Sequence, residues 1–183
     1  MEREEILNSV KANVSNQSLV KHMLATEAIM RALARRLGQN EEEWGLTGLL
    51  HDIDVELVEE DPNTHGRLGA DLAGELGASA TMTHAILCHN EKLGYHRETP
   101  LDKALFCADP LSGLITSAAL IRPDKKLAGL TPTSLMKRFK EKRFAAGVNR
   151  EQIALCSEVG MDLEEFLALG LNAMKQTSGE LGL

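Results

Sequence analysis

Aromatic residues are nearly missing from this 183-residue chain: one Trp, one Tyr and four Phe make up 3% of it. The apolar content is carried instead by Leu, Ala, Ile and Met, which favour helices, whereas sheets draw on β-branched and aromatic side chains. An all-α fold is therefore predicted from composition. Cysteine is scarce too. Cys88, Cys107 and Cys156 are odd in number, widely spaced and in no CxxC pattern, which argues against a disulfide framework or a structural zinc site built on cysteines. No apolar run approaches the roughly 18 residues that a membrane span requires. The start, MEREEILNSV, lacks the basic and apolar regions of a secretory signal. These absences predict a cytoplasmic protein with no membrane partner.

The net charge of −7 speaks against a nucleic-acid partner, but the charge is uneven. From Arg122 to Arg150 there are nine Lys or Arg against two acids, Asp124 and Glu141. That segment is locally about +7, which leaves about −14 for the rest. Such a patch suits a small phosphorylated substrate, although a solvated helix face has the same composition.

Caps and breakers divide the chain into helices. A short helix runs from Glu2 to about Val14. Asn16 or Ser18 caps a long one ending at Gly38, and Asn40 caps EEEWGLTGLLHDI. A loop at 60–62 precedes HGRLGADLAGEL, started by Asn63 or Thr64, and Ser79 opens ATMTHAILCHNE. Thr99-Pro100 and Thr131-Pro132 are start signals, with Pro in the first turn where its missing N–H costs nothing. Pro110 is expected to kink the first of these helices beside Asp109. Asn149 or Arg150 begins a further helix, Asp162 caps the last, and the tail after Gln176 is expected to fray. No strand, repeat or linker is evident, which predicts one domain with a core of about 16–121 and a helical extension over 122–183.

All six histidines, at 22, 51, 65, 84, 89 and 96, fall in the first 96 residues. His51-Asp52 ends the apolar run GLTGLL, where an ionisable pair is costly to bury unless something compensates it. A metal cation would, with a neutral imidazole and a carboxylate as its ligands. His22 lies on the stripe of Leu19, Ile29 and Leu33, and Asp109 lies in line with Leu101 and Leu105, so both face inward. Two inward histidines and two inward acids on separate helices resemble the way helical bundles build metal centres.

His22, the His51-Asp52 doublet 29 residues later and Asp109 a further 57 residues on form an ordered set. With the local texts LLHDID and ALFCAD, it resembles the HD superfamily over about Ser18 to Ile121. The resemblance implies an all-helical bundle and metal-dependent phosphohydrolase chemistry on a nucleotide or other small phosphoester, with a metal-activated water. It also implies further ligands at His65 and His89, as in the binuclear branch, so that one or two divalent ions are held by His22, His51, Asp52, His65, His89 and Asp109. The nitrogen and oxygen donors suit Mn, Fe, Co, Ni, Mg or Zn alike. His84, about 140° around its helix from His89, is not expected on the same metal.

Asp52 also stands as a catalytic carboxylate, and Asp54 either as an extra acid for proton transfer or as a helix-end residue. Arg67, Lys92 and His96 are the candidate substrate-binding groups. Known variants of the family carry Gly and Lys where this chain has Asp54 and Val55, or Glu where it has Val55, so the resemblance stops short of a substrate. Three other readings compete: a di-iron oxygenase using the same ligands, a non-catalytic binding module, and purely structural histidines. The amphipathic helices after Arg122 suit a lid over the site or the face of a homodimer.

Overall fold

A computed structural model describes all 183 residues. It contains ten α-helices and no strand: α1 Arg3–Asn13, α2 Gln17–Leu37, α3 Glu41–Leu50, α4 Arg67–Glu75, α5 Ala80–His89, α6 Pro100–Leu120, α7 Pro132–Lys140, α8 Arg150–Ala154, α9 Leu163–Gln176 and α10 Ser178–Leu181. The starts obey the capping chemistry. Asn16, Asn40, Ser79, Asn149 and Asp162 each accept a backbone N–H of the first turn. Thr99 and Asp102 form a reciprocal capping box on α6. No helix is long and apolar enough to cross a membrane.

The two long helices, α2 and α6, pass through the middle of the bundle, and α3 lies against α2. Gly48 allows that approach. A Cβ there would sit 3.0 Å from the backbone of Thr26 and Glu27, so any side chain would force the helices apart. His22 precedes Thr26 by one turn and His51 follows Gly48 by about one turn, so this contact brings the two histidines face to face. One apolar cluster runs from Ile6 to Leu181 and includes Phe166, Leu167 and Leu171 of α9. At its edge, buried Glu27 receives a two-pronged contact from Arg3 and a further bond from Arg31, which locks α1 to α2.

The structure departs from the expected boundaries at three places: the end of α3, the start of α4 and the tail. α3 stops at Leu50, because the Nδ1–H of His51 takes the Gly48 carbonyl that a continuing helix would use. The chain then proceeds in tight turns, with Ile53 N–H bonding Leu50 O and Val55 N–H bonding Asp52 O. α4 starts at Arg67 instead of 63–64, since Gly66 adopts φ +91° and breaks any earlier start. α7 ends at Lys140, where the Arg150 guanidinium gathers the carbonyls of Phe139, Glu141, Phe144 and Val148 and builds a turn in place of helix. The tail does not fray: Leu181 of α10 is buried, and Glu180 pairs with Arg3. α6 continues without a break past Pro110.

Candidate metal centre

Four imidazoles converge on one carboxylate. The Nε2 atoms of His22 and His51 are 3.2 Å apart, and each is 3.3 Å from Asp52 Oδ2. Asp109 Oδ1 joins them at 3.1 Å from His22 Nε2 and 3.8 Å from His51 Nε2. The other oxygen of Asp52 faces a second group. His65 Nε2 and His89 Nε2 are 3.0 Å apart and lie 3.3 and 3.4 Å from Asp52 Oδ1. Donor atoms around a cation with bonds of about 2.0–2.2 Å are spaced by about 3.0–3.5 Å, so both groups have the spacing of a coordination shell.

The tautomers make the same point. Each ring has its Nδ1 beside an acceptor: Ser112 Oγ for His22, Gly48 O for His51, Asp54 Oδ1 for His65 and Ile86 O for His89. The Ser112 hydroxyl itself donates to Asp109 O, which leaves its oxygen free to accept from His22. With Nδ1–H donating outward, each Nε2 presents a lone pair inward. Lone pairs and carboxylates facing one another repel unless a cation lies among them, so the donor set fits a metal.

Protonation tells of the same demand for positive charge. Burial alone would lower the His22 imidazole, but contacts with Asp109 and Asp52 outweigh it and raise it to about 9. Burial opposes the Asp52 and Asp54 contacts at His65 in the same way, and that ring also rises to about 9. Asp52 and Asp109 resist the upward pull of burial, because the surrounding imidazoles hold both below the usual carboxylate range. A raised folded-state value stabilises the fold below the unfolded imidazole value of about 6.5, and this is lost as pH climbs through about 9. The metal-free protein is therefore expected to melt at progressively lower temperature between pH 6.5 and 9. A fall of about 3 °C corresponds to about 1 kcal/mol in a chain of this size. Thermal melts of chelator-treated protein test this; a flat or rising profile there would refute it, and metal-loaded protein should not follow the decline.

The expected ligands thus come together, but the other site residues divide. Asp54 does not face the centre. It is fully buried, its Oδ1 accepts from His65 Nδ1, and its Oδ2 accepts from the N–H groups of Gly66 and Gly69. Through these contacts it caps α4 from a distance and aims His65, and it does not line the depression at the centre. Lys92 lines an open depression of about 320 Å³ with Asp52, His65, His89, Asp109 and Gln152. Arg67 is exposed and lies over the Tyr95 ring at 5.9 Å, and His96 is exposed on the loop after α5; neither lines that depression. His84 turns away to Asp102, as its angular offset predicts.

Sequence reasoning missed Ser112, Asn90 and Gln152. Ser112 lies three residues after Asp109, so helical spacing could have found it. The Asn90 side chain donates to the carbonyls of Pro62 and His65 and fixes the loop that carries His65. Gln152 comes from α8 with no local signal.

An all-helical bundle with inward imidazoles and carboxylates on α2, α5, α6, the turn after α3 and the loop before α4 defines a histidine–aspartate metal protein. The family model described as HD domain matches residues 19–114, and the chain belongs to that family, one of metal-dependent phosphohydrolases acting with divalent metals. Among curated proteins, Ribonuclease Y of Pelobacter propionicus is 37% identical over 75 residues, covering 41% of this chain and 14% of that protein. Ribonuclease Y of Syntrophobacter fumaroxidans is 27% identical over 187 residues, covering 97% of this chain and 34% of that protein. Ribonuclease Y of Chloroflexus aurantiacus is 27% identical over 183 residues, covering 97% and 35%. The chain spans about a third or less of these relatives. No solved structure matches it. The expectation of a small phosphorylated substrate and no nucleic acid is overturned by these relatives, whose name is that of enzymes acting on RNA.

Proposed function

We propose that the chain is a metal-dependent phosphodiesterase that cleaves RNA, with two divalent cations sharing the Asp52 carboxylate. The observation that carries this reading is the division of Asp52, whose Oδ2 faces His22 and His51 while Oδ1 faces His65 and His89. His22, His51, Asp52 and Asp109 would hold one ion, and His65, His89 and Asp52 the other. When bound, such ions polarise a phosphoryl oxygen and bring the pKa of a water toward neutrality.

The protein's own groups do the rest. Ser112, Gly48, Asp54 and Ile86 keep every Nε2 turned inward, so no reorganisation is needed when substrate arrives. Lys92 stands at the rim of the depression, where its ammonium can hold a phosphate oxygen. The other flank of the centre is formed by Gly147, Val148, Asn149 and Gln152, against His22 and Asp109. The turn leading into that flank carries exposed Lys142 and Arg143. An open site with cations on its approach suits a polyanionic strand passing across it. Arg150, although basic, is occupied by backbone carbonyls and contributes to the turn instead.

The test uses the full chain, stripped and reloaded separately with Mn, Fe, Co, Ni, Mg or Zn, and single-stranded RNA and DNA oligomers of equal sequence. Cleavage of RNA that disappears with chelator is expected. Metal-loaded protein that leaves RNA intact with every ion overturns the proposal. Joint replacement Lys142→Glu and Arg143→Glu is expected to raise KM for RNA about tenfold at low salt and to reduce the salt slope by about two. An unchanged salt slope would place the RNA path elsewhere.

A further inference from the structure

A second cluster with ligand chemistry lies where α5 meets the start of α6. His84 and Cys88 are four residues apart on α5 and share a face, and Asp102 stands in the first turn of α6. His84 Nδ1 is 3.1 Å from Asp102 Oδ2, and Cys88 Sγ is 3.6 Å from His84 Nδ1. The donor atoms of all three lie within 4.8 Å of one another. Neighbouring donors in a tetrahedral zinc site, with Zn–N and Zn–O near 2.0–2.2 Å and Zn–S near 2.3 Å, are spaced by about 3.3–3.6 Å.

Asp102 supplies the independent observation. Its side chain is fully buried, and Oδ2 already accepts from the N–H groups of Glu98 and Thr99 as well as from His84. Its Oδ1 is buried with no hydrogen-bond partner. A buried charged oxygen left unpaired is costly, and neither Cys88 nor His84 donates to it. Cys88 instead donates to His96 O at 3.2 Å. The His84 side chain is 33% exposed, so the cluster has a route to solvent.

We infer that His84, Cys88 and Asp102 form a metal site separate from the histidine–aspartate centre, with zinc or a similar thiolate-seeking divalent cation as its ligand. On binding, the Cys88 thiol proton leaves to solvent, the thiolate becomes a donor, and the His84 N–H moves to Nε2 so that Nδ1 can donate to the ion. The ion satisfies the Asp102 carboxylate and cross-links α5 to α6. It thereby fixes the ends of the 90–98 loop, which carries Lys92 to the rim of the neighbouring depression. A thiolate sets this site apart, since the ligand set around Asp52 contains only nitrogen and oxygen.

The experiment is titration of the chelator-treated full chain with Co2+, read by absorption. A thiolate-to-cobalt charge-transfer band in the near ultraviolet is expected in the wild type. Cys88→Ser should remove that band and one equivalent of bound metal, while Cys107→Ser and Cys156→Ser keep both. His84→Ala, at a partly exposed position that does not threaten folding, should weaken the band's Co2+ dependence at least about tenfold. Absence of the band in the wild type, or its survival in Cys88→Ser or undiminished affinity in His84→Ala, overturns the inference.

Discussion

On the proposed reading of a two-metal centre that cleaves RNA, Asp52→Asn is expected to cost the protein at least one of two bound metal equivalents and to lower cleavage by about a thousandfold, or about 4 kcal/mol of barrier. The substitution keeps size and shape, so the effect is one of charge and donor type. An amide offers one oxygen and one NH2, whereas the carboxylate offers an oxygen to each pair of histidines. Whichever way the amide turns, its NH2 faces one pair of Nε2 lone pairs and its oxygen serves only the other. Elemental analysis beside the cleavage assay reads both effects. Full metal content with full activity would show that Asp52 is not the shared ligand.

Asp54→Asn is expected to act at a distance, weakening metal binding at the His65 and His89 side by about 10–100-fold while leaving the other side intact. If the amide oxygen keeps the Gly66 and Gly69 N–H groups, its NH2 is set against His65 Nδ1. The imidazole proton then moves to Nε2 and blocks the lone pair that faces the centre. If the amide flips, its NH2 meets two backbone N–H groups, which leaves buried donors unsatisfied and costs about 1–3 kcal/mol of stability. A proton-transfer role for Asp54 predicts something different: unaltered metal content and a changed pH profile of turnover. Isothermal titration with Mn2+, together with that pH profile, separates the two.

The contrast between Asp52 and Asp54 shows how far residues alone could be read. The helical class, most caps and the inward direction of His22 and Asp109 follow from local periodicity and turn chemistry. The ordered set from His22 to Asp109 was legible because its order and the local texts LLHDID and ALFCAD resemble the HD superfamily. Asp54 was not, since its role depends on Gly66 and Gly69 folding back over it from twelve and fifteen residues away. The end of α3 was hidden for a related reason: a side chain, His51, captures a carbonyl that helical propensity assigns to the backbone. Gln152 and the 147–149 flank reach the centre through tertiary packing of α8, for which the sequence near His22 holds no sign. Burial of Leu181 likewise depends on a cavity assembled by distant helices.

The contact between the two ends of the chain also governs how the bundle is made. Arg3 on α1 meets Glu180 on α10, 177 residues later, and α9 packs against α2. During synthesis, α2 and its histidine emerge before α9, so their mutual contact forms only once α9 has left the ribosome. Contacts of such long separation are slow to form, because loop closure must precede their reward. A nascent chain ending near Leu114, where the family match stops, therefore carries every histidine and aspartate of the metal centre on an unfinished core. The core beneath that centre is completed by helices that contribute none of its ligands.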